Sequence, residues 1–165
     1  MLCLLWTTNM HALIVSVNGY GDIPEEGMEI IITEAEEDIL TGKPLVTIEG
    51  TLVNNGALNV TITRSITGIG DEFCCAGECT AGNGQLTETL TFTPVGITNW
   101  FAHYEPTDSF TTIVYTFVGD QTRTLTVHYD VTQGVETVDG QKPKARKILK
   151  DGIIYIINND NIYHL

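Results

Sequence analysis

At 165 residues with 42% apolar content, the chain is long enough for one packed domain with tails and too short for two. Its formal net charge is −13, and before residue 142 the only basic side chains are Lys43, Arg64 and Arg123, so the body repels phosphate backbones. The remaining basic residues, Lys142, Lys144, Arg146, Lys147 and Lys150, crowd one short stretch with no aromatic platforms, which argues against nucleic acid as a partner.

The first residues, Met1-Leu2-Cys3-Leu4-Leu5-Trp6-Thr7-Thr8-Asn9-Met10-His11-Ala12, read as the last part of a secretory signal: a short apolar core, polar residues, then an alanine. The positively charged leading region is missing, and Met10, third before a cut after Ala12, is larger than a signal peptidase prefers. Residues 1–17 have a second reading as an N-terminal strand that includes Leu13-Ile14-Val15. No apolar run approaches the roughly twenty residues needed to span a bilayer as a helix.

From residue 28 to 130 the dominant period is two, with glycine, asparagine, aspartate or proline at short intervals, which predicts an all-β domain. Met28 to Thr33 is the first expected strand and Leu45 to Val53 the second, kinked at Gly50. Asn54-Asn55-Gly56 makes a hairpin turn into a third strand, where Leu58, Val60 and Ile62 alternate with Asn59, Thr61 and Thr63. Leu86 to Phe92, Ile97 to Tyr104, Thr112 to Val118 and Thr122 to Tyr129 follow. In the last two, Ile113, Tyr115 and Phe117, then Leu125, Val127 and Tyr129, share a face. Seven strands predict two stacked antiparallel sheets.

Glu34-Ala35-Glu36-Glu37-Asp38 is too short for an independent helix and reads as an acidic turn between strands. Residues 131–146, with Gly134, Gly140 and Pro143, carry no apolar periodicity and read as a linker. Residues 147–165 have a β-meander pattern, with Lys150-Asp151-Gly152 and Asn158 to Asn161 as turns. That piece is too small to fold alone.

Phe73-Cys74 with Cys79 downstream, then Trp100-Phe101-Ala102-His103-Tyr104-Glu105-Pro106 and Thr112-Ile113-Val114-Tyr115-Thr116-Phe117, resembles an immunoglobulin-like β-sandwich module of Bacteroidetes secreted proteins over residues 28–130. Lys147-Ile148-Leu149-Lys150-Asp151-Gly152-Ile153-Ile154-Tyr155-Ile156-Ile157 resembles the start of the C-terminal sorting domain that directs cargo through the type nine secretion system. In that family the pattern continues into another glycine-containing strand, whereas here it stops at Leu165, so the sorting segment reads as truncated. The resemblance implies export and surface display, with residues 147–165 meeting the export machinery, and supplies no catalytic residue.

In an oxidising compartment, Cys74 and Cys79 are the expected disulfide, closing a small loop worth on the order of 2 kcal/mol. Cys75 either pairs with Cys79 instead or stays a free inward thiol. A zinc site would want four ligands in closed geometry, and His103 and His128 fall on separate strands without a ligand-spaced partner. The C-x-x-C redox spacing is absent. No nucleophile has a base beside it in the chain.

Glu36, Glu37 and Asp38 lack the alternating oxygen-ligand loop of a calcium site. Glu88 shares a face with Leu86, Leu90 and Phe92, which makes it an inward charge guarding a sheet edge or a paired residue. Trp100, Tyr104 and Tyr115 read as core rather than as a carbohydrate platform. The resulting expectation is an exported, non-catalytic binding or structural module without a cofactor, whose partner is an envelope protein or glycan. The competing expectation is a secreted metal-assisted hydrolase with a loop site near Asp71, Glu72, Glu78 and His103.

Overall fold

An extended backbone throws alternate side chains to opposite faces, so a run that alternates apolar with polar residues is stable only when one face is covered. The computed structural model describes residues 13–106 and 110–131, together with strands between 146 and 164. The chain divides into two compact units, Met1–Gln133 and Gly134–Leu165. The proposed leader, residues 1–12, and most of the proposed linker, 132–145, lie outside the described residues.

In the first unit the strands are β1 (Ile14–Val17), β2 (Gly21–Asp22), β3 (Met28–Ile32), β4 (Glu36–Glu37), β5 (Pro44–Asn55), β6 (Leu58–Arg64), β7 (Gly70–Cys75), β8 (Glu78–Ala81), β9 (Thr87–Phe92), β10 (Val95–Glu105), β11 (Thr111–Val118) and β12 (Thr122–Tyr129). They form two sheets: β2-β1-β5-β10-β7-β8 with β4 also on β5, and β3-β12-β11-β6-β9. The result is an immunoglobulin-like β-sandwich. Its pairing is antiparallel except at one edge, where β3 runs parallel to β12 from Met28 beside Leu125 to Ile32 beside Tyr129. All seven expected strands are present. The structure adds β2, β4 and the β7–β8 hairpin, and β1 falls within the second reading of residues 1–17 as an N-terminal strand.

The inward faces meet as the alternation demands. Leu58, Val60 and Ile62 of β6, Ile113, Tyr115 and Phe117 of β11, and Leu125, Val127 and Tyr129 of β12 are all buried. Ile113 sits opposite Val127 and Tyr115 opposite Leu125, so the hairpin register is the one that its short turn requires. Phe73 is the hub between the sheets. Its ring centroid lies 6.0 Å from Trp100 in its own sheet, and 5.8, 5.8 and 6.1 Å from Phe92, Tyr115 and Phe117 in the other.

Gly50 was expected to kink its strand, yet β5 continues through it, with Trp100 on one side and Val17 on the other. The glycine answers a close approach instead. A Cβ at residue 50 would lie 1.8 Å from the Ser16 carbonyl oxygen and 3.0 Å from Trp100 Nε1, which itself donates to that oxygen at 3.2 Å. Backbone cannot yield as a flexible side chain can. Gly50→Ala is therefore expected to cost about 1–3 kcal/mol in a denaturation experiment, with β1 displaced from β5. An unchanged midpoint would mean that β1 does not hold this position.

In the second unit β13 (Arg146–Lys150), β14 (Ile153–Asn158) and β15 (Asn161–His164) form the expected antiparallel meander, in the order β13-β14-β15. The turns between these strands fall outside the described residues.

Candidate functional site

The cysteine cluster is a hairpin. Cys75 stands opposite Glu78, leaving Ala76 and Gly77 as a two-residue turn, and their φ values of 55° and 81° are the pair of left-handed conformations that a type I′ turn needs. Cys74 then faces Cys79 across the strands, and the two are joined as a disulfide. Cys75 points the other way and is a free, buried thiol within the core. Burial pushes that thiol up to about 11, so at neutral pH it is a small hydrophobe and not a nucleophile. A thiol reagent at pH 8 should find neither residue 75 nor a 74/79 thiol in the folded protein, and should label Cys75 alone among these three after denaturation without reductant. Labelling of all three would show the disulfide to be absent.

Glu72 and the two disulfide sulfurs lie within 4.8 Å of one another, a separation suited to metal ligation. A disulfide removes both thiolates, so only the carboxylate keeps its ligating form.

The four residues expected around a hydrolytic metal do not converge. Glu72 and His103 are opposed in the β7–β10 register and their side chains pair, Nδ1 to Oε2 at 3.3 Å, on the outer face of the sheet. Asp71 is Glu72's neighbour in an extended strand and therefore faces the interior. Glu78 is exposed at the start of β8. The pattern separates the quartet because adjacent residues on a strand cannot share a face.

Asp71 belongs to a buried ion cluster that joins the sheets. Arg64, at the end of β6, grips it with two parallel bonds, Nε to Oδ1 at 2.9 Å and Nη2 to Oδ2 at 2.7 Å. Its Nη2 also donates to Glu88 Oε1 at 2.6 Å, and Nη1 to the Gln85 carbonyl at 3.2 Å. The Arg64 side chain is 0% exposed, Asp71 2% and Glu88 7%. Burial alone pulls the guanidinium down, but the hydrogen bonds and charges of Asp71 and Glu88 outweigh it and hold it above its ordinary value. Gly82 closes the cluster, since a Cβ there would lie 2.3 Å from Asp71 Oδ1. Glu88 is thus both an inward charge on the edge strand β9 and a paired residue. A neighbouring layer of buried hydroxyls continues the polar interior: Tyr104 donates to Thr111 Oγ1 at 3.0 Å, and Tyr115 and Tyr129 stand 3.5 Å apart.

A Thr112–His128–Glu29 chain crosses the outer face of the other sheet. Thr112 Oγ1 lies 2.9 Å from His128 Nδ1, and His128 Nε2 contacts Glu29 Oε1. A hydroxyl beside an imidazole beside a carboxylate resembles an activated nucleophile, an arrangement invisible in the sequence because β3 and β12 are far apart along the chain. Thr112's own N–H donates to Ser65 Oγ, and its carbonyl accepts from the Ser65 N–H. Its main-chain donor is therefore already engaged and does not serve an oxyanion. The Phe110 ring stacks on His128 at 5.5 Å.

Among the described residues, the hairpin between β4 and β5 carries the most exposed large apolar side chains, Ile39 at 98% and Leu40 at 94%. The loop that carries them is held internally. Asp38 accepts from the Leu40 N–H at 3.0 Å and the Thr41 hydroxyl at 2.7 Å, while its carbonyl takes the Gly42 N–H at 2.7 Å. The bonds from Thr41 and then Leu40 hold the Asp38 carboxyl below its usual range. Glu36 and Glu37 precede the tip, and Lys43 pairs with Glu105 at 3.3 Å. The expected acidic turn is thus a short β-bridge, Glu36 with Leu45 and Glu37 with Pro44, presenting two aliphatic side chains.

The arrangement defines a two-sheet β-sandwich with a disulfide-clipped hairpin, an internal ion cluster and an apolar tip. No helix among the described residues is long and apolar enough to cross a membrane. Among solved structures, the chain is similar to the N-terminal domain of PorA, with a TM-score of 0.47 and 12% identity over 73% of this chain and 98% of that one. It is also similar to part of a family 123 glycoside hydrolase from Clostridium perfringens, described for glycolipid glycan hydrolysis, with a TM-score of 0.37 and 8% identity over 72% of this chain and 27% of that one. Likeness at this level assigns no function. No protein-family model matches the chain, and neither does any curated protein.

Proposed function

We propose that the protein is an exported, non-catalytic binding module of the cell envelope, of the Bacteroidetes immunoglobulin-like kind that its sequence resembles, with residues 147–165 addressing the export machinery. The observation that carries the binding role is the Ile39–Leu40 tip. Single exposed leucines are ordinary on protein surfaces, but two adjacent aliphatic side chains at nearly full exposure, on a loop closed by its own hydrogen bonds, are a preformed contact. Burying each would gain about 1.5–3 kcal/mol. The acidic residues beside the tip favour a protein whose apolar pocket has a Lys/Arg rim and disfavour an anionic bilayer.

The test is retention of an envelope protein by the immobilised full chain, compared with a variant carrying Ile39→Ser and Leu40→Ser. The expected result is at least a tenfold loss of one retained protein, deepened by added salt, while the denaturation midpoint moves by less than about 0.5 kcal/mol. Equal retention by both chains would remove the tip from the binding role. Retention of lipid vesicles instead would reassign it to a membrane surface.

A further inference from the structure

The first described residue is held at both its side chain and its backbone. Leu13 is 0% exposed and starts the inward row that Val15 and Val17 continue along β1. Its main-chain nitrogen lies 2.9 Å from Asp120 Oδ1, 107 residues away in sequence. Asp120 occupies the short turn between β11 and β12 in the other sheet, so the contact fastens the first strand to the far side of the sandwich. The residue immediately before this nitrogen is Ala12, the alanine that ends the signal-like stretch.

We propose that the Ala12–Leu13 peptide bond is hydrolysed on export and that the Leu13 α-ammonium so created is latched to the Asp120 carboxylate. The proposal rests on the export reading above. In the step an envelope peptidase adds water across the bond: the C–N bond breaks, the oxygen completes the Ala12 carboxylate, and the amine leaves as an ammonium. A cut one residue later would discard a fully buried core side chain. A cut at this bond keeps every inward residue of β1 and turns a single N–H donor into a charged group with three donors, directly beside an anion. On a chain with a net charge of −13, a new cation is also favoured by the surrounding field.

The experiment expresses the full chain with its own leader in a diderm bacterium, separates envelope from cytoplasm, and reads the N-terminus by intact mass and Edman sequencing. The expected product is an envelope protein beginning Leu-Ile-Val-Ser-Val. Envelope protein with a different start overturns the cut and leaves the export reading standing, whereas uncut protein confined to the cytoplasm overturns both. The latch is read on the processed protein with an amine-acylating reagent at fixed pH, alongside Asp120→Asn. The expected result is severalfold faster labelling of Leu13 in the variant, with a two- to fivefold drop in its folded-to-unfolded ratio. Equal labelling rates would overturn the latch even if the cut is where it is placed.

Discussion

Replacing Arg64 with methionine is expected to cost roughly 3–5 kcal/mol, a third or more of the stability of an ordinary domain. The magnitude comes from what the change leaves behind. Asp71 and Glu88 have side chains only 2% and 7% exposed, and without the guanidinium two carboxylates would face each other out of reach of water. Replacing Arg64, Asp71 and Glu88 together by apolar residues of similar volume should cost much less than the single change, and can even be stabilising. If Arg64→Met alone moves the midpoint by less than about 1 kcal/mol, the cluster is not buried in solution.

Phe117→Ala is expected to cost a similar amount, about 3–5 kcal/mol, for a different reason. Its ring is 0% exposed and lies 5.4 Å from Trp100 and 6.1 Å from Phe73, so truncation opens a hole in the layer that binds one sheet to the other. Thr124 and Thr126 lie on the opposite face of the neighbouring strand, half-buried, and their alanine variants should each cost less than about 1 kcal/mol. The reverse ranking in a chemical denaturation series would mean a one-residue slip of the hairpin, which would exchange every inward side chain on it.

Strand alternation was the legible part of this chain. It located seven of the strands and the inward faces of β6, β11 and β12, because period two is a direct trace of one covered face. The β7–β8 hairpin was missed for a specific reason: in Cys74-Cys75-Ala76-Gly77-Glu78-Cys79 the turn uses alanine where asparagine or glycine is usual, and consecutive cysteines mask the alternation. The ion cluster does leave a signal in the sequence. Arg64 continues the inward series Leu58, Val60, Ile62, and Glu88 sits two before Leu90 and four before Phe92, so each charge occupies a core position and each calls for a partner. Which partner depended on tertiary pairing. The grouping of Asp71 with Glu72 failed because proximity in sequence was taken for proximity of side chains, while the Thr112–His128–Glu29 chain joins residues that no local pattern links.

The parallel edge pair has a consequence for how the chain acquires its shape. Glu29 and His128, which meet across β3 and β12, are 99 residues apart, so an early strand must wait for the last strand of the sandwich before it has a neighbour. Delivered N-terminus first, β3 emerges with its ladder groups unsatisfied and keeps them so until nearly the whole domain has followed. Such non-local closure is slow, and an open strand is in the meantime available to any other extended chain. The interval between the appearance of β3 and the arrival of β12 is therefore the period in which this protein is most in need of a chaperone, and most open to joining the wrong molecule.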